Sequence, residues 1–119
     1  MRIFDPAAPT EPVFLQVEHT ITKHGDKHGD EVHVWVSGEL DIATHGELQA
    51  GLSDIPLVGA AVVRLHLSGL TFCDARGARL LLQYRQQARK RGLLAGIDDP
   101  TPAVRRILQL IDQDSNLVA

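Results

Sequence analysis

The chain has 119 residues, 44% of them hydrophobic and 23% charged, with a formal net charge of −3 and a single cysteine. That length supports one buried core, the composition excludes bulk disorder, and the acidic balance argues against nucleic acid as the main partner. One cysteine excludes an intrachain disulfide or a thiolate metal cluster, and no apolar run nears the roughly 20 residues of a membrane-spanning helix. The N-terminus has no signal-peptide pattern, so the cytoplasm is the expected compartment.

Residues 1–12 contain Pro6, Pro9 and Pro12 and no periodicity; they read as a flexible leader before a single domain at 13–119. Val13, Leu15 and Val17 alternate with Phe14, Gln16 and Glu18, which predicts a first strand. A polar connector follows, in which His-Gly-Asp-Lys is nearly repeated as His-Gly-Asp-Glu. Val32, Val34 and Val36 then alternate with His33, Trp35 and Ser37 as a second strand, so the pair reads as a hairpin with a long loop. Gly38-Glu39-Leu40-Asp41 turns the chain out of the sheet. Thr44 with Glu47 fits a capping box, opening a helix with the stripe Leu48, Leu52 and Ile55 that Pro56 ends.

Ala61, Val63, Leu65 and Leu67 alternate with Val62, Arg64 and His66 in a third strand. Asp74 then stands where an N-cap belongs, ahead of a long helix in which Gly77, Leu80, Leu81, Tyr84 and Ala88 fall at helical spacing. Gly92 closes that helix, and Leu93 to Ile97 read as a buried parallel strand. After the turn Asp98-Asp99-Pro100, Thr101 is the expected N-cap and Pro102 the first helical residue, with Val104, Ile107, Leu108 and Ile111 as the buried stripe. Leu117 and Val118 are expected to dock on the core. The order ββαβαβα predicts an α/β fold, a four-stranded mixed sheet with its helices mainly on one side. Gln16, Glu18, His33, Trp35, Arg64 and His66 then share the other face, either as a solvated surface or as a partner surface.

Candidate chemistry is sparse. His24, His28, Asp26 and Asp30 offer donors in the hairpin connector, but structural zinc sites hold four ligands on a rigid frame, so no metal or cofactor is expected. His19, His33, His45 and His66 have no ligand spacing. Asp41, Asp74, Asp98 and Asp99 all follow strands, as in the acidic pocket of a phospho-accepting receiver domain. The order of elements is wrong for a receiver, and no Gly-rich phosphate loop is present, so no catalytic residue is assigned. Cys73 reads as a small core residue. Half of the twelve Lys and Arg residues lie on the long helix: Arg76, Arg79, Arg85, Arg89, Lys90 and Arg91. The last three sit where cations favour the helix dipole. Arg76 and Arg79 sit at its positive end, which points to an acidic partner surface or to a local pair with Asp74 or Asp41. Leu82 is expected to face outward.

Leu70-Thr71-Phe72-Cys73-Asp74-Ala75-Arg76-Gly77 resembles the L-x-F-x-D-S-x-G signature of STAS domains, in particular the bacterial anti-sigma-factor antagonists. Gly38-Glu39-Leu40-Asp41 resembles that family's G-E-L-D turn, and residues 101–108 its last main helix. The resemblance implies a STAS-like fold and a binding module, not an enzyme. Its partner would be an anti-sigma factor of the ATP-binding serine kinase type, in a partner-switching pathway that regulates transcription. The implied partner-binding residues are Gly38, Glu39, Leu40, Asp41, Thr44, Asp74, Ala75, Arg76 and Arg79. One departure stands out: the phosphorylatable Ser or Thr of the switchable antagonists is Ala75. The chain is then an antagonist not switched at the usual site, or a scaffold or sensor outside the phospho-switch; Thr71, Ser68 and Thr44 are the nearby hydroxyls. A small-ligand or metal sensor using the His-rich loop or the open sheet face is the alternative from another class.

Overall fold

The structure, a computed structural model, describes residues 15–24 and 28–115. The leader at 1–12, Val13 and Phe14, Asp26, and the tail with Leu117 and Val118 lie outside the described residues. β1 (Leu15–Thr22) runs antiparallel to β2 (Asp30–Leu40), with Val17 opposite Val36 and Glu18 opposite Trp35. β3 (Ala60–His66) pairs parallel with β2, and β5 (Leu94–Asp98) pairs parallel with β3. β4 (Leu70–Cys73) pairs parallel with the far end of β2, from Gly38↔Leu70 to Leu40↔Cys73. Among the described residues the mixed sheet therefore has five strands, not the four expected, in the order β1-β2-β3-β5 with β4 on β2. β4 escapes the alternation rule because it is four residues long and leaves a turn only to enter a helix. β2 is long enough, at 11 residues, to serve β3 along its first part and β4 along its last.

Strict alternation puts Val32, Val34 and Val36 of β2 and Val63 and Leu65 of β3 into the core. Three helices cover that face: α1 (His45–Ser53), α2 (Ala75–Lys90) and α3 (Pro102–Ser115). α1 buries Leu48 and Leu52, α2 buries Leu81 and Ala88, and α3 buries Val104, Leu108 and Ile111, as their helical spacing predicts. Two expectations fail. Leu82 is 1% exposed, because α3 packs along α2 and buries a second side of that helix. β5 is parallel as expected but buried on one face only, because among the described residues nothing covers the sheet face away from the helices; Ala95 faces inward and Leu94 is exposed.

The helix ends are satisfied locally. Val104 N–H donates to Thr101 Oγ1 at 3.3 Å, as the sequence predicts. At the end of α2, Leu93 N–H donates to Ala88 O at 3.1 Å and Gly92 N–H to Arg89 O at 2.9 Å, closing the helix around Gly92. Thr44 departs from the capping-box expectation: its side chain makes no cap bond to α1.

Gly77 sets the distance between α2 and the sheet. A Cβ there would stand 2.5 Å from Leu40 Cγ, whereas one at Gly46 in α1 would meet nothing within 4 Å. Ala at a helical position otherwise gains up to about 1 kcal/mol over Gly. Urea unfolding should therefore give opposite signs: Gly46→Ala stabilises by up to about 1 kcal/mol, whereas Gly77→Ala destabilises by about 1–3 kcal/mol through overpacking.

Candidate functional site

The succession of strand, turn and helix is used twice at one edge of the sheet, and the two turns meet. β2 ends at Leu40 and β4 at Cys73, side by side in the parallel pair Leu40↔Cys73. Asp74 N–H donates to Leu40 O at 3.0 Å, so the second turn is tied to the first by backbone. The Asp74 carboxylate does two further things. Its Oδ1 accepts from Gly77 N–H at 2.7 Å, the N-cap bond that the sequence predicts. It also meets His45 Nε2, at 2.9 Å from Oδ1 and 3.1 Å from Oδ2. His45 is the first residue of α1 and is buried, so one carboxylate holds the starts of two helices.

The electrostatics follow from that geometry. Partial burial pushes the Asp74 pKa up, but the bonds from His45 and from the Gly77 N–H outweigh it and hold the group below its ordinary value of 3.8. Cys73 is the opposite case. Burial first, and the neighbouring Asp74 charge second, push its thiol up to about 12, which leaves no thiolate near neutral pH.

The Gly38–Thr44 turn is built from its own polar groups. Gly38 takes a φ of 105°, which a Cβ would oppose, and its N–H donates to Gly69 O at 2.9 Å. Thr71 Oγ1 donates to Gly38 O at 3.1 Å, pinning β4 to the same turn. Thr44 is buried; its hydroxyl donates to Glu39 O at 2.8 Å and accepts from Asp41 N–H at 3.0 Å. Asp41 Oδ1 accepts from Ala43 N–H at 3.0 Å.

The nine residues singled out from the sequence thus fall into two groups. Leu40 and Thr44 lie beneath the surface and shape it, and Asp74 is half-buried between the helix starts. Glu39, Ala75, Arg76 and Arg79 are exposed, and Gly38 and Asp41 are half-exposed at the rim. A depression of about 390 Å³ opens beside the start of α2, lined by Ala75, Arg76, Arg79, Leu80 and Gln83. Two residues that sequence reasoning misses flank the turn: Ile42 is 87% exposed and Phe72, paired with Glu39, is 50% exposed. Their signal is an apolar residue inside a tight turn and on a strand too short to be seen. His45 is missed as well, since its partner is 29 residues away.

The remaining acidic groups do not gather here. Asp98 is bound by Arg64 on the open sheet face, and Asp99 takes a φ of 54° in the turn after β5. The basic helix also divides. Arg85 pairs with Asp112 of α3 at 3.3 Å, and Arg89 Nε donates to Ala95 O at 3.0 Å, so both serve packing. Among the described residues no set of three or more His, Cys, Asp or Glu converges as metal ligands, and no helix is long and apolar enough to cross a membrane.

A small mixed sheet with helices on one face and two strand-to-helix turns tied by one Asp defines a two-layer α/β fold. The sequence profile described as "Mlab, STAS domain" matches residues 24–119, and the chain belongs to the STAS domain family. Among solved structures, an anti-sigma factor antagonist from Mycobacterium paratuberculosis matches with a TM-score of 0.60 at 21% identity, covering 85% of this chain and 82% of its own. The unphosphorylated anti-sigma factor antagonist SpoIIAA matches with a TM-score of 0.51 at 20% identity, covering 82% of each chain. SLC26A9 matches 75% of this chain with a TM-score of 0.59 at 14% identity, and the match spans only 17% of that larger protein. No curated protein matches the sequence significantly. At these identities the structural matches speak to the fold.

A lowered carboxylate pKa in the native state has a definite sign for stability. The unfolded chain binds the Asp74 proton more readily, so the stabilisation is complete above the ordinary value of 3.8 and is lost as pH falls through the lower native value. Asp74→Ala should cost about 0.5–2 kcal/mol of cap energy at pH 7 and flatten the acid limb of the stability curve below about pH 4, measured by urea unfolding at each pH.

Proposed function

We propose that this chain is an anti-sigma-factor antagonist-like binding module that sequesters a kinase-type anti-sigma factor, in a partner-switching pathway regulating transcription in the bacterial cytoplasm. The observation that carries the reading is the tied edge itself. The Gly38–Thr44 turn and the start of α2 are tied through Asp74; Ile42 is exposed on the turn, and Ala75 and Arg76 are exposed at the helix start. An exposed apolar side chain on the turn and a cation at the helix N-terminus suit an apolar contact with an acidic rim. The half-buried Asp74 and the buried Leu40 and Thr44 support that surface from below.

Ala75 sets the mode of action. In a switchable antagonist a phosphate of nearly two negative charges beside the Asp ejects the partner. A methyl group accepts no phosphate, so the complex is governed by affinity and competition. Of the neighbouring hydroxyls, Thr44 is buried and held by Glu39 O, which leaves exposed Thr71 and Ser68 as the accessible ones. The proposal assigns no catalytic residue, metal or cofactor to the chain.

Affinity capture from cytosol of the source cells, with the intact chain as bait, tests this directly. The expected catch is a protein with a kinase-type ATPase fold, bound at least about tenfold more weakly by Arg76→Glu, a loss of about 1.4 kcal/mol. Incubated with that protein and ATP, Ala75→Ser should gain a phosphate that the natural chain does not. A catch of other STAS proteins or of a larger assembly, indifferent to Arg76, would replace this reading with a scaffold function. An empty catch, with a thermal shift on adding a small ligand, would replace it with a ligand-sensor function.

A further inference from the structure

The sheet face away from the helices carries a second set of ionisable groups, joined in a line across three strands. His33 Nε2 on β2 lies 2.8 Å from Glu31 Oε1, and His33 Nδ1 lies 2.8 Å from His66 Nε2 on β3. The other nitrogen of His66, Nδ1, faces Asp98 Oδ2 on β5 at 3.9 Å. Asp98 is in turn held by Arg64, whose Nε donates to Oδ2 at 2.8 Å and whose second guanidinium nitrogen reaches Oδ1. Gly96 makes room for that arginine, since a Cβ there would stand 2.5 Å from its Nη1. The two imidazoles are nearly parallel, their planes 13° apart, and the Trp35 indole stacks on His66 with ring centroids 4.8 Å apart.

Counting protons shows what this line requires. A neutral imidazole has one N–H and one bare nitrogen, whereas an ionised carboxylate only accepts. Both carboxylates are held ionised: Glu31 is lowered chiefly by its bond to His33, and Asp98 chiefly by its bond to Arg64. Suppose each histidine gives its single N–H to its own carboxylate. Two lone pairs then face each other at the 2.8 Å between His33 Nδ1 and His66 Nε2. If His66 instead donates from Nε2 to His33, its bare Nδ1 is left pointing at the Asp98 carboxylate. That arrangement satisfies both 2.8 Å contacts with neutral rings and leaves a bare nitrogen 3.9 Å from the Asp98 carboxylate, beyond hydrogen-bond distance. One added proton, on His66 Nδ1, keeps both bonds and sets the new positive charge toward Asp98. A second added proton would set N–H against N–H and part the rings.

We propose that His33 and His66 form a one-proton site, a hydrogen-bonded imidazole–imidazolium pair bridging β2 and β3, whose occupancy sets the charge of the open sheet face and is reported by the stacked indole of Trp35. The charged and titratable groups facing the pair are Glu31 on the same strand, His24 at 3.5 Å from Glu31, Glu18 of β1 opposite Trp35, Arg64 of β3 and Asp98 of β5. Arg89 of α2 acts on Arg64 electrostatically, and the helices otherwise cover the opposite face. This site does not depend on the reading of the Asp74 edge. It lies on the strand that continues into that edge, because β2 carries His33, Trp35 and Gly38 in one run.

Imidazole groups in general titrate between pH 5 and 8, and a coupled pair takes up its protons in separated steps. The test follows the ring nitrogens of His33 and His66 by NMR from pH 8.5 to 4.5 in the intact chain, alongside fluorescence of Trp35, the only tryptophan. The expected result is one proton shared by both rings in the first step, a second step separated from it by about one pH unit or more, and a fluorescence change in step with each. His33→Leu should abolish the shared step and leave a single-site curve for His66. Independent single-site curves for His33 and His66 in the natural chain would overturn the proposal, with no variant needed. Displacement of the shared proton by micromolar zinc at pH 7.5 would also overturn it, in favour of a metal site.

Discussion

The architecture depends on the Asp74 carboxylate, which has one bond to the chain it begins and another to a helix that begins 29 residues earlier. An N-cap alone organises one helix end. Here the same group also receives His45, so α1 and α2 start from a common point. The backbone bond from Asp74 N–H to Leu40 O and the absence of a side chain at Gly77 bring the two turns into contact. The carboxylate caps α2, where that helix dipole favours negative charge, and its lowered pKa comes from the His45 bond and the Gly77 N–H.

The tied edge makes sense of residues that otherwise look misplaced. Cations at a helix start oppose the dipole, and apolar side chains in a turn oppose solvation. Arg76 at the start of α2 and Ile42 in the Gly38–Thr44 turn each break one of these local rules, on the two segments that Asp74 ties together. The rest of the basic helix obeys local rules once α3 and β5 are present, since Arg85 is satisfied by Asp112 and Arg89 by Ala95 O. The charge run along α2 is therefore two features superimposed, one structural and one surface.

Much of this is legible from residue order. Alternation locates β1, β2 and β3, helical spacing locates all three buried stripes, and Asp74 stands out as a cap from its place between an apolar strand end and a helical stripe. The omissions share a physical cause. β4 is too short for alternation to register, and its identity comes from pairing with the long β2. Leu82 points outward on one helix considered alone, whereas α3 supplies a second buried side. Thr44 has the spacing of a cap for α1, yet its hydroxyl is taken up by Glu39 O and Asp41 N–H in the preceding turn. His45 and the His33–His66 pair depend on contacts between strands and helices distant in sequence. Alternation places His33, Arg64 and His66 on the correct face, but nothing in residue order shows the bonds between them.

The central claim is that one carboxylate couples the two helix starts into a single surface, and a double-mutant cycle between His45 and Asp74 measures it most directly. Urea unfolding of the natural chain, His45→Ala, Asp74→Ala and the double variant gives the coupling free energy of the pair. The account predicts that the two losses are not additive, with a coupling of about 0.5–3 kcal/mol that fades below about pH 4 as Asp74 is protonated. Losses that add to within about 0.3–0.5 kcal/mol at pH 7 would contradict it, leaving Asp74 as the cap of one helix and the two turns as independent neighbours.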